Sequence, residues 1–171
     1  VWYVEPMAGQ PVLLLTPPLT QLNTPYPSTA FLTGFLRSQG IACHQADLGI
    51  DMVLRLFSRA GLRQVFDLVR EQGEKLPGEA TQMLAMEQSY LDKIAPVVEF
   101  LQGRNPALAA HLARAGVLPR GPRFSGRSAF ARTVPMEDRA KQYATWFLED
   151  LADLVQATIS PYFALSRYAE H

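Results

Sequence analysis

Val12-Leu-Leu-Leu-Thr16, stopped by Pro17-Pro18, is the stretch on which the reading of the fold turns. Four consecutive apolar residues, Val12 to Leu15, suit a strand buried on both faces, as in a parallel sheet. From Pro17 to Pro27 there are four prolines in eleven residues. Such a segment sustains neither a helix nor an inner strand and is expected to be a loop. Ser28 stands where an N-cap belongs, Phe31, Leu32, Phe35 and Leu36 recur at helical spacing, and Gly40 suits the C-cap. Ile41-Ala-Cys-His-Gln-Ala46 reads as a second strand, closing at Asp47-Leu-Gly49. A strand, a crossover helix and a second strand in so few residues make a βαβ unit with parallel strands.

After Gly49 the pattern turns helical. Ile50, Val53, Leu54 and Phe57 mark one short helix, and Leu62, Val65, Phe66 and Val69 another. Met83, Met86, Tyr90, Ile94, Val97 and Leu101 form one apolar stripe, in which Pro96 is expected to kink or split the helix. Pro106 to Ala115 reads as a further short helix, and Gly116 to Val134 as a long loop. Tyr143, Phe147, Leu151, Leu154 and Ile159 then line a helix from about Pro135 to Ile159, with Glu137 and Asp138 near its positive end. The fold class expected is therefore α/β. A Rossmann-like (flavodoxin-like) start with two parallel strands occupies residues 1–60, and a large, mostly α-helical segment occupies residues 61–171.

Composition narrows the function classes. The chain has 171 residues, 48% hydrophobic and 19% charged, with sixteen basic residues against sixteen acidic. Nothing in that balance marks a nucleic-acid or membrane binder. Cys43 is the one cysteine, so neither an internal disulfide nor a cysteine-rich cluster is built by this chain alone, which fits a reducing compartment. No apolar run is long enough to span a bilayer and no signal pattern opens the chain, so a cytoplasmic location is expected. The first residue is Val1 rather than methionine, as expected of a piece of a longer protein.

In an open α/β sheet, ligands bind outside the carboxyl ends of the strands. The Pro17–Pro27 loop lies at such an end, where Thr20, Gln21, Asn23 and Thr24 offer donors and acceptors. The N-terminus of the next helix adds free N–H groups and positive potential. Residues 12–58, about a quarter of the chain, resemble the start of cobalamin (B12)-binding radical SAM proteins. The resemblance is carried by the strand ending in Pro17-Pro18, the polar loop Leu19-Thr-Gln-Leu-Asn-Thr-Pro-Tyr-Pro27, the helix Ser28 to Arg37, Gly40, and the strand ending in Asp47-Leu48. It implies cofactor contacts from Pro18, Thr20, Gln21, Asn23, Thr24, Tyr26, Ser28 and Asp47. It also implies that a 4Fe–4S cluster and S-adenosylmethionine bind in a downstream radical SAM domain of the parent chain, the expected partner, since the three-cysteine motif cannot exist here. No Asp-x-His-x-x-Gly motif surrounds His44, His111 or His171, which argues against histidine ligation of cobalt. By the resemblance this chain is non-catalytic alone, whereas the parent protein is an enzyme.

Other features have blander readings. Cys43 in a buried strand behaves as a small hydrophobe, and His44 as an ordinary strand histidine. Asp47 is read as capping the following helix. No Gly-x-Gly-x-x-Gly loop follows the first strand, which speaks against a dinucleotide. Arg104, Arg114, Arg120, Arg123, Arg127 and Arg132, with Phe124 and Phe130, fall in a segment without acids. That segment is expected to be solvated or a docking surface. Two rival functions remain open at this point: a mostly helical interaction module whose Met83–Leu101 and Tyr143–Ile159 faces a partner completes, and an RNA-contacting element in loop 114–132. Nucleic acid and membrane are not the expected partners, and a homo-oligomer is compatible with the sequence.

Overall fold

The computed structural model describes residues 10–18, 27–73, 76–125 and 133–165. They fall into two compact units that divide between Val53 and Leu54.

The first unit holds β1 (Val12–Thr16), α1 (Pro27–Ser38), β2 (Cys43–Asp47) and the beginning of α2 (Leu48–Leu56). β1 and β2 pair parallel, in register from Val12 opposite Cys43 to Thr16 opposite Asp47. The helix between them packs against both strands, so the short crossover expected from the sequence is present. Its C-terminus closes by a Schellman motif. Gly40 adopts φ 73°, its N–H donates to Arg37 O, and Ile41 N–H donates to Leu36 O, each at 3.0 Å.

Three details differ from expectation. α1 begins at Pro27, so Ser28 lies inside the first turn and is not the N-cap; proline is favoured at that first position because its missing N–H has no helical partner anyway. β1 is not buried on both faces: Leu13 is 59% and Leu15 47% exposed. Thr33 Oγ1 lies 3.2 Å from Gln45 Oε1, which identifies the α1-facing side as that of Gln45 and its neighbour across the ladder, Leu14. Leu13 and Leu15 alternate onto the other side. The apolar stripe of α1 also points away from the sheet, with Phe31 78% and Phe35 61% exposed and Thr33 buried. Two strands offer a helix only a narrow contact, and Thr33 occupies it.

The second unit is helical: α3 (Arg59–Glu71), α4 (Gly78–Ala85), α5 (Glu87–Leu101), α6 (Ala109–Leu112) and α7 (Met136–Thr158), with 3-10 turns at Pro106–Leu108 and Pro122–Phe124. α5 packs on α3 and on α7, while α7 also meets α6 and the Pro122–Phe124 turn. Leu62, Phe66, Val69, Tyr90, Ile94, Val97, Leu112, Phe147 and Leu151 fill the core. Rings link three helices: Phe66 to Tyr90 at 6.0 Å and Tyr90 to Phe147 at 5.2 Å between centroids. The long stripe breaks at Met86, between α4 and α5, and not at Pro96. Pro96 sits inside α5, where packing on both sides carries the helix through it.

The corner between α2 and α3 is tight. Ser58 caps α3, its Oγ accepting from Gly61 N–H at 3.0 Å. A Cβ added at Gly61 would stand 2.1 Å from Arg55 O and 2.7 Å from Leu56 O. Both atoms are backbone, so neither yields without moving α2. Gly61→Ala is expected to destabilise the second unit by about 1–3 kcal/mol, the usual range for overpacking, measured as a lower urea midpoint at unchanged slope. A midpoint equal to that of the unsubstituted chain would refute the close approach.

Candidate functional site

Parallel pairing sets the carboxyl ends of β1 and β2 side by side, with Thr16 opposite Asp47. Thr16 is buried and Pro18, two residues beyond, is exposed. Asp47 Oδ1 accepts from Ile50 N–H at 3.0 Å, which makes it the cap of α2, as its position just before that helix suggested. Ser28 is exposed in the first turn of α1. Thr20, Gln21, Asn23, Thr24 and Tyr26 lie outside the described residues. The structure thus brings Thr16 and Asp47 together, and Pro18 follows directly from the end of β1.

The chemistry-bearing residues of β2 sit elsewhere. Cys43 begins the strand, at the end opposite Asp47, and is buried. His44 is exposed and pairs with Leu13 on the open face of the sheet. Among the described residues no group of three or more His, Cys, Asp or Glu side chains could hold a metal ion. Nor is any helix there long and apolar enough to cross a membrane.

In the second unit the arginine-rich segment is partly structural. Arg123 makes a bidentate pair with Asp153, Nε to Oδ2 at 2.6 Å and Nη2 to Oδ1 at 2.9 Å. Phe124 is buried against Tyr143 and Trp146, so its ring cannot stack on a base. Arg104, Arg114 and Arg120 are exposed, whereas Arg127, Phe130 and Arg132 lie outside the described residues. The faces read as awaiting a partner are largely closed by the unit itself. Met83, Tyr90, Ile94 and Val97 are buried, as are Tyr143, Phe147, Leu151 and Leu154.

One polar cluster escaped the sequence reading. Asp150 on α7 is fully buried. Its Oδ1 accepts from Arg123 N–H at 2.8 Å, and the Gly121 backbone packs directly over its Oδ2. A Cβ on Gly121 would stand 2.4 Å from the Asp150 carboxyl carbon, so only glycine lets the loop pass there. Burial pushes the Asp150 carboxyl up to about 7, the backbone amides of Arg123 and Gly121 oppose that shift, and the charge of Asp153 adds to it. Tyr90 is also fully buried, with its hydroxyl unpartnered. Its phenol is pushed up by burial and by the charge of Asp150. Asp150 follows Phe147 by three positions and precedes Leu154 by four, the spacing of a buried helical seam. That spacing is the signal by which the sequence could have placed it inside.

No family model, no curated protein and no solved structure matches the chain. What stands is an α/β first unit with two parallel strands and a helical second unit.

Proposed function

We propose that the first sixty residues are the Rossmann-like opening of a cobalamin-binding-type region, and that the parent protein is a cytoplasmic radical SAM enzyme. The observation that carries this reading is the parallel, in-register pairing of β1 with β2, which creates the open strand ends that ligands use in such sheets. The exposed Leu13, Leu15, Phe31 and Phe35 support it further. Two strands are not an independently stable sheet, and apolar surface of this extent belongs against further elements of a larger domain.

The described residues fit the two groups unequally. At the carboxyl ends of the strands stand Asp47, with one carboxylate oxygen engaged as a cap, and Pro18, and α1 contributes the N–H groups of its first turn. Those groups suit the amide and phosphate periphery of a corrin. They offer no ligand to cobalt, since His44 lies mid-strand on the open face. For a 4Fe–4S cluster the donor set does not fit: Cys43 is the chain's one cysteine and is buried away from these strand ends. The cluster and S-adenosylmethionine therefore belong to the downstream domain. Bound cobalamin supplies methyl relay, and this chain contributes positioning.

The test is a titration of the 171-residue chain with aquocobalamin, followed by visible difference spectra and co-elution in gel filtration. Saturable binding at one site is expected. His44→Ala should leave the bound spectrum unchanged, because His44 lies on the open face of the sheet and away from the carboxyl ends of the strands. Absence of both co-elution and spectral change would overturn the reading.

A further inference from the structure

The outer side of α1 carries an uncovered apolar stripe whose spacing is symmetric about Thr33. Thr33 is buried and its Oγ1 lies 3.2 Å from Gln45 Oε1, so it marks the side of α1 turned to the sheet. Phe31 and Phe35 stand two positions before and after it. At about 100° per residue, that spacing sets both rings on the opposite side of the helix, where they are 78% and 61% exposed. Ser28 and Ser38, five positions before and after Thr33, fall on the same outer side and are exposed as well. Leu32, 49% exposed, flanks the stripe on one edge. On the other edge is Gly34, where an added Cβ would meet nothing within 4 Å. The stripe carries no charge. α1 contains no acid, and its one basic residue, Arg37, donates from Nη2 to Cys43 O at 3.2 Å, toward the sheet.

We propose that this side of α1 is a homodimer interface, on which a second copy of the chain lays its own α1 antiparallel. A two-fold contact must be self-complementary: where residue i meets j of the second copy, j meets i in return. An antiparallel pair centred on Thr33 satisfies that condition along the whole stripe. It sets Phe31 against Phe35 of the second copy, twice over, and each Ser28 beside Ser38 of the second copy. The two Leu32 side chains adjoin along one edge, and the Gly34 positions leave the other edge open for close approach. An uncharged stripe on a chain of no net charge offers nothing to nucleic acid or to an acidic or basic partner, and nothing that holds two copies apart. Four rings, each covering about 150–250 Å² when fully buried, dominate the contact. Its total of roughly 1,000 Å² is below that of a standard stable interface, so the dimer is weak, with a Kd on the order of 10 μM. The proposal does not rest on the cofactor reading. Leu13 and Leu15 on the sheet remain for further elements of the parent domain, and the first-turn N–H groups of α1 for the strand-end site. The second copy is the element that covers Phe31 and Phe35.

The experiment is sedimentation equilibrium of the 171-residue chain at concentrations about ten-fold either side of that Kd. A monomer–dimer equilibrium is expected, and added salt should not weaken it. Phe31→Glu, at a position exposed in the monomer, puts a charge twice into the contact and should weaken it by at least about 100-fold. Tyr162→Glu, which alters a 90% exposed ring outside α1, should leave the equilibrium unchanged. Cross-linking with a short bis-maleimide tests the arrangement without introducing charge. Ser28→Cys mixed with Ser38→Cys should give a cross-linked dimer, whereas either variant alone should not. Ten residues of helix set like positions about 15 Å apart in the antiparallel pair, and Cys43 is buried. A chain that stays monomeric throughout leaves the stripe to lipid or to another protein and overturns the proposal. So does a dimer that survives Phe31→Glu, or cross-linking of Ser28→Cys with itself, which would mark a parallel pair.

Discussion

Phe147→Ala is expected to lower the stability of the helical unit by about 3–5 kcal/mol, the range for deleting a buried aromatic ring. Phe147 is fully buried at the middle of α7. Its ring stacks on Tyr90 of α5 at 5.2 Å with planes 29° apart, and Tyr90 in turn meets Phe66 of α3 at 6.0 Å. Phe147 is thus the α7 end of a ring chain that joins three helices through Tyr90, and its removal leaves a cavity bounded by rigid helix backbones that cannot close in. The lost ring pair adds about 0.5–1.5 kcal/mol beyond area burial. Against a typical domain stability of about 5–15 kcal/mol, the variant should show a measurable unfolded fraction at room temperature. Urea unfolding followed by tryptophan fluorescence is the direct measurement, since Trp146 is buried in the adjacent ring cluster. Phe147→Leu should recover more than half of the loss. A cost below about 1 kcal/mol for the alanine variant would mean that Phe147 is not the tie between these helices.

The parts of this structure that were legible in the sequence are those set by local pattern. An apolar run closed by two prolines makes β1, and a glycine able to adopt φ 73° ends α1 where expected. A crossover too short for anything but one helix leaves the strands parallel. The seam through Met83, Tyr90, Ile94 and Val97 was legible for the same reason, because periodicity records which residues share a face. Periodicity does not record what that face meets. Phe31 and Phe35 have the spacing of a buried stripe, but the contact with only two strands is narrow and falls on Thr33. Arg123 looked like one basic residue among six. Its pairing with Asp153, thirty positions on, and the burial of its neighbour Phe124 depend on how the turn docks against α7. Of the candidate cofactor residues, Asp47 was legible as a cap because the acid directly precedes α2. Asp150 was not, because its charge argued for the surface while its place between Phe147 and Leu154 argued for the core, and packing decided for the core.

That conflict makes the stability of the unit depend on pH. In the unfolded chain the Asp150 carboxyl ionises near its ordinary 3.8, and in the folded unit burial pushes it up to about 7. Between those values the folded state holds a proton that the unfolded state has released. Stability therefore falls as pH rises from about 4 to about 7 and is level above that. Three units correspond to about 4 kcal/mol at 1.36 kcal/mol each. Arg123 and its backbone amide limit the loss by favouring the ionised form, while Asp153 works against ionisation. Asp150→Asn removes the titrating group but keeps an oxygen for Arg123 N–H, so its difference from the unsubstituted chain isolates this one carboxyl. The asparagine variant should gain on the unsubstituted chain by about 4 kcal/mol between pH 4 and pH 8, read from urea midpoints at half-unit steps. A difference that stays constant across the range would show that Asp150 keeps its ordinary ionisation, and that its second oxygen is satisfied within the fold.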